Sequence, residues 1–149
     1  MTAMRTTNTA VTTEEITACE HRVGRRLPAA FREFLLQRNG GRPVRDIFAF
    51  NDGKRLAEGG VDAFLGVGSF DESIERYLDE YRGRIPEDLF PIAHDAGDNL
   101  ILIGAEGANA GKVFFWHHEL EADEGEPPTY DNVFLIADTF EAFLASLHE

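Results

Sequence analysis

The amino-acid sequence predicts an α+β fold: N-terminal helices, a curved and mostly antiparallel sheet of about five to six strands, one helix inserted among the strands and one C-terminal helix. Three observations carry this expectation. Apolar residues recur at helical intervals in 12–38, 70–81 and 138–147. The period then changes to short apolar runs near Leu89–His94, Asn99–Gly104, Lys112–His117 and Asn132–Ile136, separated by turn-forming residues. The resulting order is helices, strands, helix, antiparallel strands, helix, without the strict alternation that builds a parallel sheet.

Taken in chain order, residues 1–11 are polar, Thr-rich and without an apolar signal core, and read as a flexible tail. A single domain is expected over 12–149. Thr12 and Glu15 have capping-box spacing, Ile16, Cys19 and Val23 give the first helix an apolar side, and Gly24 ends it. The next helix is the best marked. Pro28 suits a first helical position, where its missing N–H removes no intrahelical bond. Phe31, Phe34 and Leu35 form one apolar stripe, and Asn39, Gly40 and Gly41 tolerate the positive φ needed to stop and reverse.

Ile47, Phe48 and Phe50 predict a strand broken by the turn at Asn51–Gly53, and a second short strand is expected around Val61–Val67. Ser69 and Glu72 have capping spacing ahead of Phe70, Ile74, Tyr77, Leu78 and Tyr81, which predicts the inserted helix. Asp95–Asp98 reads as a tight turn, and Gly104–Gly111 as a longer hairpin loop. Glu119–Pro128 is an acidic excursion between strands. The last helix is expected to start at Asp138, with Phe140, Phe143, Leu144 and Leu147 buried.

A chain of 149 residues can bury about 70% of its unfolded surface in one core. Its apolar runs of four or five residues are far too short for a membrane span. Cys19 is the only cysteine, so no intrachain disulfide can form, in keeping with a cytoplasmic location; its place between Ile16 and Val23 marks a small core residue. Charge is distributed unevenly. Residues 1–55 hold ten basic and six acidic side chains, whereas 56–149 hold four basic and twenty-one acidic, a balance of −17. Such a surface repels nucleic-acid phosphates and anionic membranes and favours a basic protein partner.

The motifs of common enzymes are not met. The stretch from Gly104 to Val113 lacks the first Gly of a phosphate loop, having Glu106 there, and Val113 replaces the Mg²⁺-holding Ser or Thr. Gly66, Gly68 and Ser69 do not complete a nucleophile elbow, because Asp71 holds the last Gly position. His94, Asp95, Asp98, His117 and His118 could supply a metal site only if their strands converge. Adjacent histidines on a strand face opposite sides, which works against His117 and His118 sharing one ion. No catalytic residue, cofactor or metal is assigned.

Val113 and Phe115 share one face of their strand, and Phe114 and Trp116 the other. Either both faces are covered, or part of an aromatic face stays open as a partner surface. The carboxylates Glu119, Glu121, Asp123, Glu124 and Glu126 would rim that strand's end and meet Arg- and Lys-rich surfaces. With Trp116 they form the candidate partner-binding set.

In order, these pieces resemble the SUKH superfamily, in its cell-wall-synthesis-regulator-like group. The residues that carry the resemblance are Gly24, Leu27, Pro28, Phe31, Phe34 and Asn39–Gly41, then F-P-I-A-H-D-A-G-D-N from Phe90 to Asn99, G-K-V-F-F-W-H-H-E from Gly111 to Glu119, and A-D-T-F-E-A-F-L from Ala137 to Leu144. The resemblance implies an α+β fold with a curved antiparallel sheet. It further implies a bacterial immunity protein of a polymorphic or contact-dependent toxin system, often protecting against a nuclease. No catalytic set carries over. Leu27, Pro28, Asn39, Gly40, Gly41, Gly97, Asn99 and Trp116 are the positions expected to determine the fold, and the acidic insert Glu119–Pro128 has no match.

The expected function is therefore a non-enzymatic, cytoplasmic immunity protein that binds a cognate, basic toxin domain, without direct nucleic-acid or membrane contact. The alternatives are a regulatory protein–protein interaction module in cell-wall or stress regulation, and a metal-dependent hydrolase built on His94, Asp98 and one of the adjacent histidines.

Overall fold

A computed structural model describes residues 2–149, among which there are four α-helices, two short 3-10 turns and seven strands. The first helix, α1 (Thr13–Val23), begins as its sequence dictates. The Thr12 side chain accepts from the Glu15 N–H and the Glu15 carboxylate accepts from the Thr12 N–H. That reciprocal cap contributes about 1 kcal/mol. Gly24, at φ 70°, closes the helix in the left-handed region where a Cβ is disfavoured. The next helix, α2 (Ala29–Gln37), starts one residue later than expected, with Pro28 as an extended N-cap at ψ 139°. It buries Phe31, Phe34 and Leu35 as its spacing requires.

Strand β1 (Ile47–Asn51) pairs antiparallel with β2 (Leu56–Gly60) in a separate hairpin. Strand β2 is not legible in L-A-E-G-G, whose composition disfavours strand. Its Gly59 is required by contact, since a Cβ there would lie 2.6 Å from the Phe48 ring. Only β3 (Ala63–Phe64) remains of the strand expected over Val61–Val67.

The inserted helix α3 (Ile74–Glu80) is capped by Ser73, which accepts from the Arg76 N–H, and not by Ser69. The reason lies at Gly66. Its N–H donates to the Glu72 carbonyl and its carbonyl accepts from the Ile74 N–H, which holds the intervening segment out of helical geometry. Strands β4 (Leu89–His94), β5 (Leu100–Gly104), β6 (Val113–Trp116) and β7 (Val133–Ala137) then run as an antiparallel meander, in sheet order β3-β4-β5-β6-β7. The strands are thus divided between two antiparallel sheets. Helix α4 (Phe140–Ser146) takes Thr139 as its N-cap, one residue after Asp138.

Alternation along the strands gives the five-stranded sheet two apolar faces. The inner face carries Phe90, Ile92, Ile101, Ile103 and Phe115, and packs against Phe31, Phe34, Phe48, Phe50, Phe140 and Phe143 from α2, β1 and α4. The outer face carries Leu89, Leu100, Leu102, Phe114 and Trp116, and packs against Tyr81 and Ile85. Both faces of β6 are therefore covered.

Within the segment read as a flexible tail, residues 3–7 run along the loop after α2. The Arg5 N–H donates to the Arg42 carbonyl at 2.7 Å, Val44 N–H to Ala3 at 2.9 Å, and Thr7 Oγ1 to the Gly40 carbonyl at 3.1 Å. Gly41, at φ 112°, permits the approach, because a Cβ there would lie 2.2 Å from the Thr6 carbonyl oxygen.

Candidate functional site: an acidic strap on the outer face of the sheet

The residues that join β6 to β7 include the acidic excursion, and three sets of bonds fix their path. At the base, the His118 N–H donates to Asn99 Oδ1 at 2.9 Å and Asn132 Nδ2 to the His117 carbonyl at 3.0 Å. Asn99 is itself held by Asp95, whose carboxylate accepts from the Asn99 N–H and side chain. Next, Glu121 receives a fork from Arg84, with Nε and Nη2 at 3.1 and 2.9 Å from its two oxygens. The Arg84 guanidinium lies 4.4 Å from the Tyr81 ring and 5.7 Å from that of Trp116. Finally, the Tyr130 hydroxyl donates to Asp88.

Asp88 precedes the start of β4, at the end of the sheet where Leu89 faces Gly104. Val133 faces Trp116 at the opposite end. The chain between them therefore doubles back over the outer face as a strap of residues 117–132. Its three ties are contacts between residues 15 to 42 positions apart.

The candidate partner residues fall into three groups. Trp116 is fully buried under Arg84 and edge-on to Tyr81 at 5.6 Å, so it is a core residue and offers no open aromatic face. Glu121 is neutralised by Arg84, whose positive charge it stabilises. Glu119, Asp123, Glu124 and Glu126 are exposed and belong to no salt bridge among the described residues. Sequence reasoning missed Arg84, Tyr130 and Asp88, which hold the strap.

The expected fold determinants are placed as follows. Leu27 is buried beside the Pro28 cap. Asn39 is buried and saturated: its Nδ2 donates to the Thr9 and Val67 carbonyls at 2.8 and 2.9 Å, and its Oδ1 accepts from the Val67 N–H at 2.8 Å. Gly40 packs so closely on Leu65 that a Cβ would lie 2.8 Å from its backbone. Gly97 makes no such demand, since a Cβ there meets only ordinary contacts. The left-handed residue of that turn is Asp98, at φ 67°.

The metal alternative loses its ligand set. His94 stacks on Tyr77 at 5.7 Å, with Nδ1 2.8 Å from the Asp95 carbonyl, while the Asp95 carboxylate is taken by the turn. His117 Nδ1 accepts from the Glu119 N–H. Among the described residues no group of three His, Cys, Asp or Glu side chains is placed to hold a metal ion. No described helix is long and apolar enough to cross a membrane.

A family model described as the SMI1 / KNR4 family (SUKH-1) matches residues 10–146 of the chain. The chain belongs to the SUKH-1 family. Within this setting, the SPbeta prophage-derived protein YokK of Bacillus subtilis (strain 168) is 28% identical over 155 residues, spanning 91% of this chain and 74% of YokK. A crystal structure of a protein from Pseudomonas syringae pv. tomato superposes with a TM-score of 0.53 at 15% identity, covering 76% of this chain and 73% of that one. That likeness is one of fold. The matched residues run from ahead of α1 to the end of α4.

Proposed function

We propose that this SUKH-1 protein is a non-enzymatic immunity protein that binds a cognate polymorphic or contact-dependent toxin domain in the cytoplasm and blocks it. The expected target is a basic nuclease domain, which the acidic surface would cover where nucleic acid otherwise binds. The observation that carries the reading is the balance of −17 over residues 56–149. Opposed charge accelerates encounter and suppresses acidic competitors, and it makes association sensitive to salt. Family membership and the prophage origin of YokK support the same reading. The test is to purify the toxin domain encoded beside this gene and assay it with excess protein. Inhibition that weakens with rising salt is expected; a toxin that stays fully active overturns the reading.

A further inference from the structure

Among the described residues five large apolar side chains are exposed, and three of them lie on the strap or on the strand it leads into. Leu120 is 54% exposed, Tyr130 53% and Leu135 46%. Leu135 faces Phe114 across the β6–β7 ladder, which sets it on the outer face of an edge strand with no further neighbour in its sheet. The same stretch is uniformly acidic. Residues 113–149 carry nine carboxylate side chains and no Lys or Arg. Exposed apolar groups set among unpaired charges of one sign make an interface with both an anchor and a steering field.

The ties beneath the strap matter as much as its surface. Arg84, Asp88 and Asn99 hold it at three points, so a partner would meet an ordered surface and avoid most of the entropy cost of immobilising a loop.

We propose that the strap is the docking surface for a basic protein domain. Leu120 enters an apolar recess on the partner, and Glu119, Asp123, Glu124 and Glu126 meet its Lys and Arg side chains. Arg84 and Glu121 are positioning residues that set the strap's height over the sheet. This rests on the immunity-protein reading and names the surface through which it operates.

The experiment measures affinity for the purified toxin domain encoded beside this gene, using the full chain and two charge-altered variants. One is Leu120→Arg with Glu124→Lys on the strap. The other is Asp71→Asn with Asp79→Lys on and before α3; it changes net charge by the same three units, at side chains that are 93% and 81% exposed. The strap variant is expected to bind about 100-fold more weakly or worse, and the α3 variant to stay within about threefold. Both are checked for wild-type thermal unfolding. Hydrogen exchange of the wild-type complex provides a readout independent of substitution, with protection expected across 118–131. Equal losses in both variants, wild-type affinity in the strap variant, or protection confined to other segments overturns the assignment while the immunity reading stands. A wild-type protein that neither binds nor inhibits the toxin overturns both.

Discussion

Arg84 and Glu121 stand 37 residues apart and meet in a two-bond fork, with the guanidinium lying over Tyr81. The pair ties the acidic strap to the segment after α3. Because both side chains are partly exposed, solvent screening limits the ion pair to about 1 kcal/mol, with a comparable contribution from the aromatic contact. A double-mutant cycle with Arg84→Ala and Glu121→Ala, read by urea unfolding, is expected to give a coupling of about 0.5–1 kcal/mol. Additive losses would show that the fork does not hold the strap.

Trp116 is expected to govern stability and not recognition. Truncation to Ala removes a fully buried indole from between Tyr81 and the outer sheet face and leaves a cavity, a loss of about 3–5 kcal/mol. As the only tryptophan, it also reports its own environment. The native protein is expected to fluoresce as a buried indole and shift to the red on unfolding in urea. A native spectrum typical of solvent-exposed tryptophan would contradict this placement.

What the sequence made legible was local. Strands β4, β5 and β6 announce themselves because each is a near-continuous apolar run buried on both sides, β7 because it is an apolar run although only partly covered, and α1 because its cap is written in Thr12 and Glu15. The errors arose where distant contacts override local signals. Ser69 has ideal spacing for a cap, yet the two backbone bonds at Gly66 move the helix start to Ser73. β2 has no strand composition and exists because Gly59 lets its backbone lie against the Phe48 ring. At the candidate site the carboxylates were visible as a charge run. Their support was not, because no spacing rule links Arg84 to Glu121 or Asp88 to Tyr130. Trp116 stands in both the partner set and the fold set for the same reason: an aromatic run at the end of a strand reads alike whether it is covered, as here, or open.

Asn39 is expected to be among the least replaceable polar residues. Its side chain joins the start of the chain at Thr9 to Val67, filling two donor positions and one acceptor position away from water. Asn39→Ala would leave the Val67 N–H and two carbonyls without partners, a loss of about 2–4 kcal/mol. Asn39→Asp is expected to be comparably damaging, since a carboxylate cannot donate to the Thr9 and Val67 carbonyls. Thermal unfolding of both variants checks this. Wild-type stability in either would mean that water replaces the amide without loss.

The Cys19 thiol makes a distinct prediction at high pH. Burial against the core, with a smaller contribution from nearby Glu75, pushes its pKa from 9.0 up to about 11. Well below pH 9 the thiol is protonated in both folded and unfolded chains and adds no pH dependence. Above pH 9 the unfolded chain releases its proton first, so it binds fewer protons than the native state and stability falls with rising pH until the native thiol also ionises near 11. Tyr77 and Tyr81, whose hydroxyls are also raised by burial, contribute in the same direction at the upper end of this range. Comparison with Cys19→Ala separates the contributions, because the tyrosines are common to both proteins. The urea midpoint of the wild type should fall more steeply than that of Cys19→Ala between pH 9 and 10.5. The native thiol should also react much more slowly than the unfolded one with iodoacetamide at pH 8.5. Parallel pH profiles for the two proteins would mean that Cys19 ionises as readily folded as unfolded, which its burial between α1 and the core does not allow.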